Sequence, residues 1–264
     1  MISRGNLLFG IQAFDSSIRV ECSNSEIRAT LDRYLFPPLL RSEPDSCSPD
    51  IHLSVDHADG FFHILIDHKL AASAVTLHDA ALAAVKALDD LVVHRMRMFR
   101  AVHAGAVLID GRALLLPGST HAGKSSLVAE LLRRGASHFS DEYALIDSQG
   151  CVHSYPRPLL LRNGRPLQSL VLPEELNASF AVSSAPVGWI LALEYVPGAD
   201  WGIREMSQGE AVMLLLSNTP HEMAQSPEMI HSFMRVAGNA VCFEGKRGDA
   251  VEAAAHVAHL ISRK

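Results

Sequence analysis

Short apolar runs that alternate with polar residues dominate the first third of the chain. Ser16, Ile18 and Val20 are separated by polar neighbours, as are Ile51, Leu53 and Val55, which is the two-residue period of a strand with one buried face. Phe61 to Ile66 is more continuously apolar and predicts a further strand. Between them, Glu26 to Leu35 predicts a short helix stopped by Pro37-Pro38, and Arg41 to Asp50 reads as a polar loop. From Leu77 to Phe99 the period lengthens: Leu77, Ala81, Ala84, Leu88, Leu91 and Arg95 recur at helical spacing, with Asp89 and Asp90 on other faces. Residues 1–98 are therefore expected to form a small β-rich subdomain with a connecting helix.

A different pattern governs residues 99–264. Ala104 to Ile109 and Ala113 to Pro117 read as strands, and the Asp110-Gly111 between them favours a tight hairpin. Ser126 to Arg134 is helix-like and Gly135 is placed to end it. Further strands are expected at Ala136–Phe139, Tyr143–Ile146, Leu159–Leu161 and Gly188–Tyr195, and further helices near Gln208–Ser217, Pro227–Ala237 and Asp249–Ser262. The fold class is α/β.

With 264 residues the chain is long enough to bury a substantial core. Its net charge of −6 argues against a general nucleic-acid-binding surface. The four cysteines form no C-x-x-C pair, so neither a disulfide framework nor a zinc knuckle is indicated, and a reducing cytoplasm is the expected setting. No apolar run has the length to span a bilayer, so no membrane association is expected. The fourteen histidines form no H-x-x-x-H or H-E-x-x-H unit on an expected helix, and no transition-metal site is expected from them.

The chemistry is concentrated around one loop. Gly118-Ser119-Thr120-His121-Ala122-Gly123-Lys124-Ser125 fits the phosphate-binding pattern G-x-x-x-x-G-K-[S/T] and lies between an expected strand and an expected helix opening at Ser126. Its glycines let the backbone curl so that successive N–H groups point at phosphates, and the helix N-terminus adds its dipole. Lys124 supplies a point charge to the β- and γ-phosphates, and the Ser125 hydroxyl suits Mg²⁺. ATP and Mg²⁺ are thus the expected cofactors. Asp141 and Glu142 follow Lys124 by seventeen and eighteen residues, a pair able to divide metal binding and proton removal between them. Arg157 and Arg162 could grip a phosphate or a substrate carboxylate, with Arg204, Arg235, Lys246 and Arg247 as weaker candidates.

His103-Ala104-Gly105, the loop Gly118 to Ser125, and Ser140-Asp141-Glu142 together resemble the strand start, Walker A loop and acidic motif of the HPr kinase/phosphorylase family. The resemblance covers about residues 100 to 165. It implies a P-loop core shared with ATP-dependent phosphoenolpyruvate carboxykinase, and transfer of a phosphoryl group to a serine hydroxyl. It also implies that Asp141 is the general base, that Glu142 supports Mg²⁺, that His103 lies near the transferring phosphate, and that the protein is a multimer. The E-x-R-G-x-G-type signature of full members has no counterpart, and Tyr155 to Arg162 stands in its place. Smaller relatives widen the expected acceptor to a peptide, a protein or a free amino acid. Two alternatives are a nucleotide-regulated scaffold with slow ATPase activity and a carboxykinase-like or phosphorylase activity.

Overall fold

A computed structural model describes residues 7–36, 41–42, 49–118, 122–162, 168–220 and 226–262. These fall into two units, one within Met1–Arg97 with Arg165–Leu170, the other within Met98–Gly164 with Val171–Lys264.

In the first unit, β1 (Leu7–Ala13) and β2 (Ser16–Cys22) form an antiparallel hairpin. Helix α1 (Ser25–Tyr34) is started by Asn24, whose side chain accepts from the Ile27 N–H at 2.9 Å. A two-residue strand, β3 (Arg41–Ser42), pairs with β1 at the start of the stretch expected to be loop. So short a pairing depends on the open edge of β1 and leaves no pattern of its own. The rest of that stretch, up to residue 48, lies outside the described residues. β4 (Ile51–Ala58) runs parallel to β2, and β5 (Phe61–Ile66) and β6 (Lys69–Ala74) extend the sheet in antiparallel fashion. The expected alternation is realised, with Ile18, Val20, Ile51, Leu53 and Val55 all buried.

Helix α2 (Leu77–Arg95) packs on α1, β5 and β6. It ends before the expected Phe99 because the chain turns extended at Met96. Asp89, expected off the buried face, is buried beside Leu88 and Val92. Two adjacent rows of this helix are covered, Ala81, Val85, Leu88 and Val92 in one region and Ala80, Ala84 and Val93 flanking it, so the stripe is wider than one apolar row suggests.

The second unit begins with β7 (Arg100–Ile109) and β8 (Arg112–Pro117), joined by the expected hairpin. Asp110 and Gly111 take φ of 48° and 76°, as a two-residue turn of matching twist requires. β7 starts earlier than expected because its first residues find a partner, Arg100 opposite Ile146. Helix α3 (Lys124–Arg133) is closed by Gly135 at φ 100°, whose N–H bonds the Leu132 carbonyl at 2.9 Å. Along the chain then follow β9 (Ser137–Ser140), β10 (Tyr143–Ile146), β11 (Cys151–His153), β12 (Leu159–Leu161), β13 (Ser169–Val171), whose Ser169 and Leu170 belong to the first unit, and β14 (Ala185–Tyr195). β15 (Gly202–Glu205), α4 (Gln208–Ser217), α5 (Pro227–Asn239), β16 (Val241–Arg247) and α6 (Ala250–Ser262) complete the chain.

The main sheet has the order β11-β10-β7-β8-β14-β16-β15, with β9 also paired to β7. Its centre, β8, β14 and β16, is parallel. Leu114, Leu116 and Leu191 pack with Leu127 and Val128 of α3 and Val257 of α6, while Leu115 and Ile190 pack with Leu215 of α4 and Phe233 of α5. Helices on both faces explain why Ala113 to Leu116 is continuously apolar rather than alternating. The molecule is a mixed α/β protein, and no helix among the described residues is long and apolar enough to cross a membrane.

One glycine fixes how closely α3 lies on the sheet. A Cβ at Gly105 would stand 2.7 Å from a Val128 methyl of α3. Gly105→Ala is expected to destabilise the protein by about 1–3 kcal/mol through overpacking. Denaturant unfolding measures this, and an unchanged midpoint would show that α3 can shift freely.

Candidate functional site

β8 delivers the chain to Gly118, and α3 takes it up again at Lys124. Gly123 forms the N-cap of α3 at φ 75°, a left-handed conformation that glycine adopts without penalty. Lys124 Nζ donates to the Gly118 carbonyl at 2.8 Å, so the lysine reaches back to the first residue of the loop. Ser119, Thr120 and His121 lie outside the described residues. Ala122 and Ser125 flank Gly123 and Lys124, and Ser126 lies exposed in the first turn of α3.

The acidic pair sits where the pairing along β7 changes hands. β9 pairs with β7 from Ala106 to Leu108 and β10 pairs with it from Arg100 to His103, so Asp141 and Glu142 form the short connection between two strands on one partner. Ser140 shapes that connection, its buried hydroxyl accepting from the N–H groups of Glu142 at 3.3 Å and Tyr143 at 3.1 Å. His103 stands opposite Tyr143 in the ladder, with ring centroids 4.4 Å apart. Its backbone N–H donates to the Asn218 carbonyl at 2.7 Å, tying the start of β7 to the end of α4.

The two carboxyls have opposite electrostatics. Asp141 is 2% exposed; burial pushes its pKa up to about 6, against the Leu160 N–H that it accepts at 3.1 Å, Arg157 and the Ser125 hydroxyl. Its second oxygen, Oδ1, is buried with no hydrogen-bond partner among the described residues. Glu142 has a side chain 36% exposed, with His103 Nδ1 at 3.6 Å and Arg157 Nη1 at 3.5 Å, both long for hydrogen bonds but within ion-pair range. Partial burial pushes Glu142 up, but His103, Arg157 and Lys124 together hold it down to about 2. Burial lowers the pKa of Lys124, and the two carboxylates oppose that shift.

His103, Lys124, Ser125, Asp141, Glu142 and Arg157 are thereby brought into one neighbourhood. Arg157 is 1% exposed and lies against Glu142, with His138 of β9 hydrogen-bonded to its backbone carbonyl at 3.2 Å. Arg162 is exposed just beyond β12, with no contact to this group among the interactions described. The oxygens of Ser125 and Glu142 suit a hard cation such as Mg²⁺, and Asp141 lies beside both. Among the described residues no group of three or more His, Cys, Asp or Glu could hold a metal by itself. A cation here would take part of its shell from phosphate oxygens.

On the far side of β8 a cleft of about 430 Å³ opens beside the loop, lined by Pro117, Gly118, Ala122, Ala192, Glu194 and Lys246, among others. It lies at the carboxyl ends of parallel strands, where ligands enter open α/β sheets. Arg247, ranked low in the sequence, also reaches the loop, donating to the Gly123 carbonyl at 2.6 Å. The two residues are 124 positions apart, so only a repeated pattern at that distance, which the chain lacks, could have signalled the contact.

No protein-family model matches the chain, and no curated protein matches it. Among solved structures the chain is similar to the Hpr(Ser) kinase/phosphatase from Coxiella burnetii, with 15% identity, 62% of this chain and 99% of that chain covered, and a TM-score of 0.32.

Proposed function

We propose that this protein is an ATP- and Mg²⁺-dependent kinase that transfers the γ-phosphoryl group to a hydroxyl, with a serine of a peptide, protein or free amino acid as acceptor. The observation that carries this reading is the buried carboxyl of Asp141, held near pKa 6 beside Ser125 and Lys124. A base is most useful when its pKa lies near the working pH, and a serine hydroxyl needs one to become nucleophilic. A loop that only gripped a nucleotide would gain nothing from burying a carboxyl whose second oxygen has no partner among the described residues.

In this reading the loop backbone and Lys124 bind the phosphates, and the cleft beside Gly118 takes the nucleoside. Ionised Asp141 takes the proton of the acceptor hydroxyl as the new O–P bond forms and the bond to the leaving nucleoside diphosphate breaks. Lys124 stabilises the charge that accumulates on the leaving oxygens. His103 and Arg157 keep Glu142 ionised, the form in which it can hold a cation. Mg²⁺ held by Ser125 and Glu142 would neutralise phosphate oxygens.

The test is transfer from γ-labelled ATP with Mg²⁺ to a panel of an HPr-like carrier protein, serine-containing peptides and free serine. Label on one acceptor is the expected result. Nucleotide binding accompanied only by slow release of free phosphate would replace the kinase by a nucleotide-regulated binding protein.

A further inference from the structure

Arg247 ends β16 beside Tyr195, the last residue of β14, in parallel register. Although it is 2% exposed, the hydrogen bonds described for its guanidinium go to main-chain carbonyls: Nη2 donates to Gly123 at 2.6 Å and Nη1 to Gly248 at 2.9 Å. The guanidinium also lies over the Tyr195 ring, 5.2 Å from its centroid. Its own carbonyl accepts from the Val196 N–H at 2.9 Å, so the residue is anchored on both sides before its side chain reaches the loop.

The place it reaches is the N-terminus of α3. Gly123 is the N-cap of α3, and its carbonyl already accepts from the Leu127 N–H at 3.2 Å. Arg247 thus holds the same first turn of α3 that carries Lys124, whose ammonium donates to the Gly118 carbonyl at 2.8 Å. Burial lowers the Arg247 pKa, and Tyr195 and Asp249 oppose that shift. Gly123 is shaped to this contact, because a Cβ there would collide with the guanidinium.

We propose that Arg247 is a positioning residue of the phosphate loop: by clamping the Gly123 carbonyl it sets Lys124 and Ser125 for a polyphosphate. The role in catalysis rests on the kinase reading, but the clamp itself is a property of the protein without ligand.

The test therefore has two parts, made on wild type, Arg247→Lys and Arg247→Met. Without nucleotide, amide hydrogen exchange at residues 123–127 is expected to rise about tenfold or more in Arg247→Met, with exchange in α5 unchanged and Arg247→Lys intermediate. With nucleotide, Arg247→Met is expected to raise KM for ATP about tenfold or more while kcat changes less. Unchanged exchange at 123–127, or a loss of stability spread evenly over the unit with KM unmoved, overturns the proposal. If wild type neither binds nor turns over ATP while the exchange effect remains, the kinase reading fails and the clamp stands.

Discussion

Asp141→Asn is expected to lower phosphoryl transfer by about 10²- to 10⁴-fold, the contribution of a general base, while ATP still binds. The same change is expected to stabilise the protein at alkaline pH. Folding raises the Asp141 pKa from its ordinary value to about 6, so the folded state favours the protonated carboxyl. The stability associated with that proton is fully present below the ordinary carboxylate pKa and is lost as pH rises through about 6. Asparagine has no proton to lose, so the variant should exceed wild type above that pH by up to about 3 kcal/mol, at roughly 1.36 kcal/mol per pKa unit. Denaturant unfolding at pH 5 and pH 8, beside transfer assays on the same samples, reads both effects. In wild type the acid limb of kcat is expected near pH 6 and should vanish in the variant. A variant that loses activity and also unfolds more easily at pH 8 would show that Asp141 is structural. One that transfers phosphate normally would move the base elsewhere, with Glu142 an inferior candidate because His103 and Arg157 hold its pKa near 2.

The second large effect is expected from Lys124→Met, which should reduce kcat/KM by about 10²- to 10³-fold, the size associated with one positioned charge on the reacting group. Lys124→Arg should not restore it. The ammonium sits 2.8 Å from the Gly118 carbonyl, and a planar guanidinium is larger and differently directed. Losing the cation also removes one of the groups that hold Glu142 down, so the Glu142 pKa should rise in the variant. Calorimetric titration with ATP and Mg²⁺ separates binding from turnover. Unchanged binding and unchanged turnover would remove the loop from the mechanism altogether.

How much of this was readable along the chain depends on the distance over which each feature is decided. The β7–β8 hairpin was legible because Asp110 and Gly111 carry the left-handed conformations that the turn requires. Helix α4 was legible to its ends: Ser207 and Glu210 form a capping box, with the Ser207 hydroxyl and Glu210 carboxylate exchanging hydrogen bonds with each other's N–H groups. By contrast β16, Val-Cys-Phe-Glu-Gly-Lys-Arg, lacks a clean period, and it becomes a strand because β14 and β15 offer it partners on both sides. β6 and β15, with mostly exposed side chains, are edge strands, each formed on the open edge of its one partner, β5 and β16.

By itself the sequence determined the α/β alternation, the strand-loop-helix around Lys124 and the adjacency of Asp141 and Glu142, since each is settled within a few residues by period, glycine or spacing. The tertiary structure alone decided that the adjacent carboxyls differ, one buried without a partner for Oδ1 among the described residues and the other half open between His103 and Arg157. It alone placed Arg247 on Gly123 and hid Asp89 within α2. Burial and charge environment are sums over neighbours drawn from distant parts of the chain, and no local pattern encodes such a sum.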